Sequence, residues 1–265
     1  MNKLQRAVKD IHRSGEEDLK RAGKGISPLA RLLVTFLYIF LVVSFSKYDL
    51  DALAGMILYL LVIGIWEKIS FKETIRHIWP VLLLVSVVGI ANPFVERAVY
   101  LQIGNLSVTY GMVSMAVLML KGIFSVTASW FLIMTTGIEG ICYSLRCLHV
   151  PKELVTILLL IYRYLIVLLK EVERMMLAYK LRAPGQRGLH VKTWGAFVGQ
   201  LLLRSMDRAE TVYESMLLRG YHGEVPGRRF GGNKKTGILY VLLWTLVLIC
   251  LRILPVFQMA GRIFG

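Results

Sequence analysis

Cysteine and histidine are scarce in this sequence, and acidic residues are only about half as many as basic ones. Its three cysteines, Cys142, Cys147 and Cys250, are too few and too unevenly spaced to staple a fold. Cys142 and Cys147 have no partner pair at metal-site spacing, so they read as structural thiols. The five histidines, His12, His77, His149, His190 and His222, are scattered, with no pair placed as a zinc site requires. There is no G-x-x-x-x-G-K-[ST] run; residues 227–236 have the glycines, lysines and threonine in the wrong order to cradle ATP. A G-x-S-x-G nucleophile elbow is missing too, and no apolar run carries the paired carboxylates of a proton relay. These absences point away from an enzyme and from a self-powered pump. The first 27 residues mix Lys, Arg, Glu and Asp without a short apolar core or a small-residue cleavage site, so no secretory leader is expected there.

What is present is apolar sequence and positive charge together. Hydrophobic residues make up 56%, and 32 Lys/Arg against 17 Asp/Glu give a formal net charge of +15. With a mean hydropathy of +0.60, that pairing indicates a polytopic membrane protein. The charge is blocked: 8 Lys/Arg fall in residues 1–31, 3 in 67–77 and 16 in 137–236. Basic residues accumulate on the cytoplasmic side, which places all three blocks there. They flank apolar spans and form no single stripe, which argues against nucleic-acid binding.

Along the chain, residues 1–26 form a basic cytosolic segment and 27–136 a transmembrane region. Residues 137–235 form a cytosol-facing helical region, and 236–265 a last span with a short tail. Ser27-Pro28 opens the first span, as an N-cap followed by proline at the first helical position. It runs to about Phe45. The second span covers residues 53–66 and the third 78–91, stopped by Asn92-Pro93. Residues 94–103 are too short to cross alone, leaving open a re-entrant, an interfacial or a sixth-span reading. Residues 109–136 cross with Lys121 near mid-depth, where a lysine must face the interior or snorkel. Lys121, Arg163 and Glu96-Arg97 are read as structural charges. The fold class is all-α, with five transmembrane helices, or six, plus long cytosol-facing helices.

Two long helices are expected in the cytosolic region, the first from Pro151 to Arg182 and the second over 193–219. Before them lies a short amphipathic helix over 138–148. The first helix would extend roughly 46 Å, more than the ~30 Å hydrocarbon thickness. The second carries Leu202, Met206, Ala209, Tyr213 and Met216 at spacings of four and three, a stripe read as a helix hairpin packed on itself. Both helices end alike. A shift of 37 lays Glu173, Leu181, Arg182 and Ala183 on Glu210, Leu218, Arg219 and Gly220. A single arginine in a last helical turn is explained by the helix dipole, at about 0.3–1 kcal/mol. Recurrence of Glu, Leu, Arg and a small residue in register is not. A small residue after the arginine lets the chain turn and clears the guanidinium, whose fixed donors suit carboxylates and helix-end carbonyls. Two such tips suit a surface that holds two copies of a partner.

Two long helices ending in Leu181-Arg182-Ala183 and Leu218-Arg219-Gly220 resemble the coupling helices, with Ala-Arg-Gly-like triplets, of the transmembrane component of energy-coupling-factor transporters. Other runs resemble its cobalt-transport branch, the CbiQ family. Ser27-Pro28-Leu29-Ala30-Arg31-Leu32-Leu33 is similar to an Asp-Pro-Arg-x-Lys-Leu opening, with Ser for Asp. Thr135-Thr136, Val150-Pro151-Lys152-Glu153-Leu154 and Tyr162-Arg163-Tyr164 are similar to that branch as well. The resemblance covers roughly residues 27–254. It implies a non-catalytic coupling subunit of the cell membrane. The expected partners are two ATP-binding cassette ATPase subunits, or two copies of one, and a separate substrate-binding membrane subunit. ATP would be bound by the ATPases, with no cofactor on this chain. Leu181, Arg182, Ala183, Leu218, Arg219 and Gly220 would dock the ATPases, and the cargo would be cobalt or nickel. The alternatives are the corresponding subunit of a vitamin transporter and, less favoured, a membrane-surface enzyme or receptor.

Overall fold

The fold is taken from a computed structural model, which describes residues 26–46, 50–67, 71–90, 99–103, 106–185, 190–223 and 234–253. The chain forms two compact units, one of residues 22–137 with 230–265 and the other of residues 1–21 with 138–229. Glu96 and Arg97 lie outside the described residues.

In the first unit, helix α1 (Pro28–Val43) starts at the expected place, with Ser27 extended at φ −62°, ψ 136° and Pro28 inside the first turn. Two short helices follow, α2 (Leu50–Gly55) and α3 (Ile57–Trp66), separated at Met56. Helix α4 (Phe71–Gly89) contains Pro80 and begins seven residues before the apolar run starting at Ile78, taking in the charged residues ahead of it. The stretch whose reading the sequence left open ends in an antiparallel hairpin, β1 (Val99–Ile103) and β2 (Leu106–Thr109). The architecture is the expected all-α membrane fold with that one hairpin added. Helix α5 (Tyr110–Cys147) runs across what the sequence divides into a span and a short amphipathic helix. The two parts meet at Gly137, whose φ of 67° and ψ of 164° belong to a region essentially closed to any residue with a Cβ. Helix α8 (Lys234–Ile253) completes this unit.

The core of this unit is aromatic and aliphatic. Tyr38 of α1 stacks on Tyr59 of α3 at 4.3 Å, and Tyr59 meets Trp244 of α8 edge-on at 4.8 Å. Val34, Leu53, Val117, Phe124 and Leu248 close around them. The outer faces are as apolar as the core: Phe36, Ile65 and Leu246 are each about 70% exposed (70%, 69% and 73%). Helices α5 and α8 are long and apolar enough to cross a bilayer, and three shorter apolar helices accompany them. A surface of that kind is stable against lipid and not against water.

Two polar arrangements, one buried and one half-buried, tie this unit together. At one end, the Arg31 guanidinium donates to the Thr135 carbonyl at 2.6 Å and pairs with Glu67 Oε1 at 2.9 Å. It thereby joins α1, the end of α3 and the turn of α5 just before Gly137. At the other end, Lys121 Nζ donates to the carbonyls of Val43 and Phe45 at 3.1 and 2.6 Å. Helix α1 has 16 residues, about 24 Å, so it stops short of a ~30 Å hydrocarbon layer. Its last carbonyls need donors at that depth, and Lys121 supplies them beside the negative end of the helix dipole. Arg252 adds a bond to Ser44 Oγ at 3.1 Å and lies 5.3 Å from the Phe45 ring centre.

Candidate functional site

The second unit carries the repeated segment. It opens with the C-terminal part of α5, where Ser144 is fully buried and its hydroxyl donates to Gly140 O at 2.8 Å. Burial pushes the nearby Cys142 thiol above its ordinary range, with Glu139 adding to the effect, so this cysteine is a poor nucleophile. The helix ends in a Schellman turn. Val150 N–H reaches Leu145 O at 3.2 Å, His149 N–H reaches Arg146 O at 3.1 Å, and His149 takes φ 62°. Pro151 then directs the chain into helix α6 (Lys152–Arg182). Helix α7 (Val191–Leu218) follows, its first turn capped by His190, whose ring Nδ1 accepts from Lys192 N–H at 3.4 Å.

Glu171 and Arg204 join α6 to α7 in an ion pair, and Arg174 flanks the same carboxylate at 3.6 Å. From that junction, Arg182 lies 11 residues along α6 and Arg219 lies 15 residues along α7. At 1.5 Å per residue these are arms of about 17 and 22 Å. Each arm ends in the same exposed pair. Leu181 is 74% and Leu218 90% exposed, and Arg182 and Arg219 beside them are exposed as well. Among the described residues neither guanidinium is ion-paired.

The two ends are built differently in spite of the repeat. Helix α6 stays helical through Arg182. Ala183 is its C-cap at φ −127°, with its N–H on Tyr179 O at 3.0 Å. In α7 the arginine itself is the C-cap. Gly220 follows at φ 78°, its N–H on Leu217 O at 2.9 Å, and Tyr221 N–H bonds Met216 O at 3.0 Å. That is a second Schellman turn, and its left-handed position is where glycine is favoured. The glutamates that open the repeat also diverge. Glu210 is exposed, whereas Glu173 Oε1 is enclosed with no hydrogen-bond partner among the described residues.

The stripe on α7 is not the seam of a hairpin packed on itself. Among its described residues none is buried, and Leu202, Met206, Ala209 and Tyr213 are exposed, with Met216 half-buried. The 3.6-residue period identifies an apolar face but not what covers it. Arg163, read from sequence as structural, lies exposed on α6, in a stretch where Leu154, Ile157 and Ile161 are exposed too. Sequence reasoning did not find the Glu171–Arg204 junction or Glu67 as the partner of Arg31. Each pair is more than thirty residues apart, and no local pattern links them. Among the described residues, no three His, Cys, Asp or Glu side chains gather as metal ligands do.

Comparison with known proteins bears on this arrangement. A family model described as the cobalt transport protein CbiQ matches residues 20–228. An uncharacterised protein of Methanocaldococcus jannaschii is 28% identical over 207 residues, covering 74% of this chain and 70% of its own. Two proteins named energy-coupling factor transporter transmembrane protein EcfT are each 24% identical. That of Thermosediminibacter oceani aligns over 75% of this chain and 79% of its own, and that of Listeria innocua over 77% and 82%.

Proposed function

This chain belongs to the CbiQ family of energy-coupling-factor transporter transmembrane components, and from that premise we propose that it couples two ATPase subunits to a substrate-binding membrane subunit. The observation that carries the reading is the pair of exposed Leu-Arg tips, Leu181-Arg182 and Leu218-Arg219, at the ends of two joined helices. Each tip offers an apolar anchor and a guanidinium able to bond carboxylates or helix-end carbonyls in a partner groove. Ala183 and Gly220 release the chain from each tip. Closure of two ATPases around ATP moves the tips relative to one another. The exposed apolar faces of α6 and α7 carry that motion to the substrate-binding subunit. The chain itself is non-catalytic and holds no nucleotide.

The basic blocks support a multi-pass protein of the cell membrane with its N-terminus and both coupling helices in the cytoplasm. Cobalt or nickel is the proposed cargo, supported by the description of the matching family. A vitamin cargo would be revealed by the identity of the membrane subunit that copurifies with the chain.

The test is charge reversal at both tips, Arg182→Glu with Arg219→Glu. Truncating a central interface arginine often costs about 2 kcal/mol or more, and reversal adds repulsion. The double variant is expected to insert normally but to lose its ATPases on purification in mild detergent. Undiminished ATPase recovery and uptake would overturn the reading.

A further inference from the structure

Helix α5 passes from one compact unit into the other without a loop. The chain crosses between the units after Arg21, after Gly137 and after Arg229. Of these crossings only the one at Gly137 lies among the described residues. Gly137 is also the non-helical residue inside the 38 residues of α5, at φ 67° and ψ 164°. The break in the backbone angles and the boundary between the units thus fall on the same residue.

We infer that Gly137 is a hinge about which the cytosol-facing unit turns against the membrane unit. The inference rests on the coupling role proposed above, since closure of the ATPases supplies the force. Glycine moves within this region of φ and ψ at little steric cost, whereas a residue with a Cβ is essentially excluded from it. A helix resists bending because each of its turns is tied by its own hydrogen bonds. A load carried along α5 is therefore taken up at the residue that lies outside the helical region. A hinge needs no more than a few residues at the end of an element to absorb the change in dihedrals.

Both sides of Gly137 are held firmly. On the membrane side, Thr135 and Thr136 are buried. The Thr135 carbonyl accepts from Arg31, which is itself paired with Glu67. The last turn before Gly137 is thereby fixed to α1 and to the end of α3. On the cytosolic side, Cys142 and Ser144 are fully buried, and the Ser144 hydroxyl donates to Gly140 O. The Schellman turn that ends at Val150, followed by Pro151, leads straight into α6. A rotation at Gly137 thus reaches the base of the first lever through a short helix and a closed turn, with no slack segment between.

The experiment measures spin-label distances in the complex assembled with both ATPases, with and without a non-hydrolysable ATP analogue. One label is placed at Met112→Cys, an exposed position near the start of α5, and the other on the native Cys147, exposed at its end. Cys250 is replaced by serine. This pair spans Gly137, and its distance is expected to shift by several ångströms when the analogue is added, on the order of one helical turn or less. A pair at Met112→Cys and Ile133→Cys, with Cys147 also replaced by serine, lies wholly on the membrane side and is expected to stay unchanged. Gly137→Ala is expected to make α5 continuous, which sets residues 112 and 147 about 52 Å apart at 1.5 Å per residue. That variant is expected to recover its ATPases normally but to lose the response to nucleotide. Labels at the lever tips, Lys180→Cys and Glu214→Cys, separate the two claims. Tips that respond while the pair across Gly137 does not, or a Gly137→Ala chain that responds as wild type does, would overturn the hinge alone. Tips that stay still would overturn the coupling role, and the hinge with it. If Gly137→Ala fails to fold, the wild-type pair across Gly137 still decides.

Discussion

Gly220 and His149 occupy the same left-handed backbone position, each closing a Schellman turn at a helix end. One residue is suited to it and the other is not. A side chain in this region costs roughly 1–2 kcal/mol, so Gly220→Ala is expected to destabilise the chain by about 1 kcal/mol. His149→Gly relieves the same penalty and is expected to be neutral or stabilising by up to about 1 kcal/mol, part of the gain being lost to unfolded-state entropy. Thermal unfolding midpoints in one detergent check both, and opposite signs at the two sites are the expected result. Lys121 belongs to this scale as well. Lys121→Met strips donors from the Val43 and Phe45 carbonyls and leaves them unsatisfied at membrane depth. A loss of about 1–3 kcal/mol is expected, read as a lower midpoint.

At the scale of elements, α6 and α7 are two long levers joined by Glu171 and Arg204. Their side chains are 21% and 50% exposed, so the pair adds only on the order of 0.2–1 kcal/mol to stability. Its importance is geometric. Glu171→Arg is expected to leave folding nearly unchanged while reducing uptake, and Glu171→Arg with Arg204→Glu is expected to restore it. Uptake that stays low in the swapped pair, with normal ATPase recovery, would show that the junction does not set the lever geometry. The ends of these helices were legible in the sequence because end signals are local: Pro151 before α6, and a small residue beside each arginine. The destination of the α7 stripe was not legible. Leu202, Met206 and Tyr213 have the spacing of a packing face, yet in the isolated chain they are exposed. The partner that such a face needs is not encoded in its period. The division of α5 was legible too: a span to residue 136 and a helix from 138 meet at Gly137, which is non-helical at φ 67°.

For the whole molecule, the bilayer explains why so much apolar surface remains uncovered. Composition and apolar patterning were enough to identify a helical membrane protein, because both reflect solvent and not contact. Contacts between distant segments were not legible. Arg31 and Thr135 each stood out as features of the resemblance, but only the fold brings the Arg31 guanidinium to the Thr135 carbonyl and to Glu67. The hairpin Val99–Ile103/Leu106–Thr109 was likewise hidden, since short apolar runs look alike as strand or helix. Coupling requires that the two tips move when the ATPases close. Spin labels at Lys180→Cys and Glu214→Cys, both exposed positions, measure that directly in a chain with Cys147 and Cys250 replaced by serine. The distance distribution in the assembled complex is expected to shift by several ångströms, on the order of one helical turn, when a non-hydrolysable ATP analogue is added. An unchanged distribution with both ATPases bound and nucleotide loaded would contradict the coupling role.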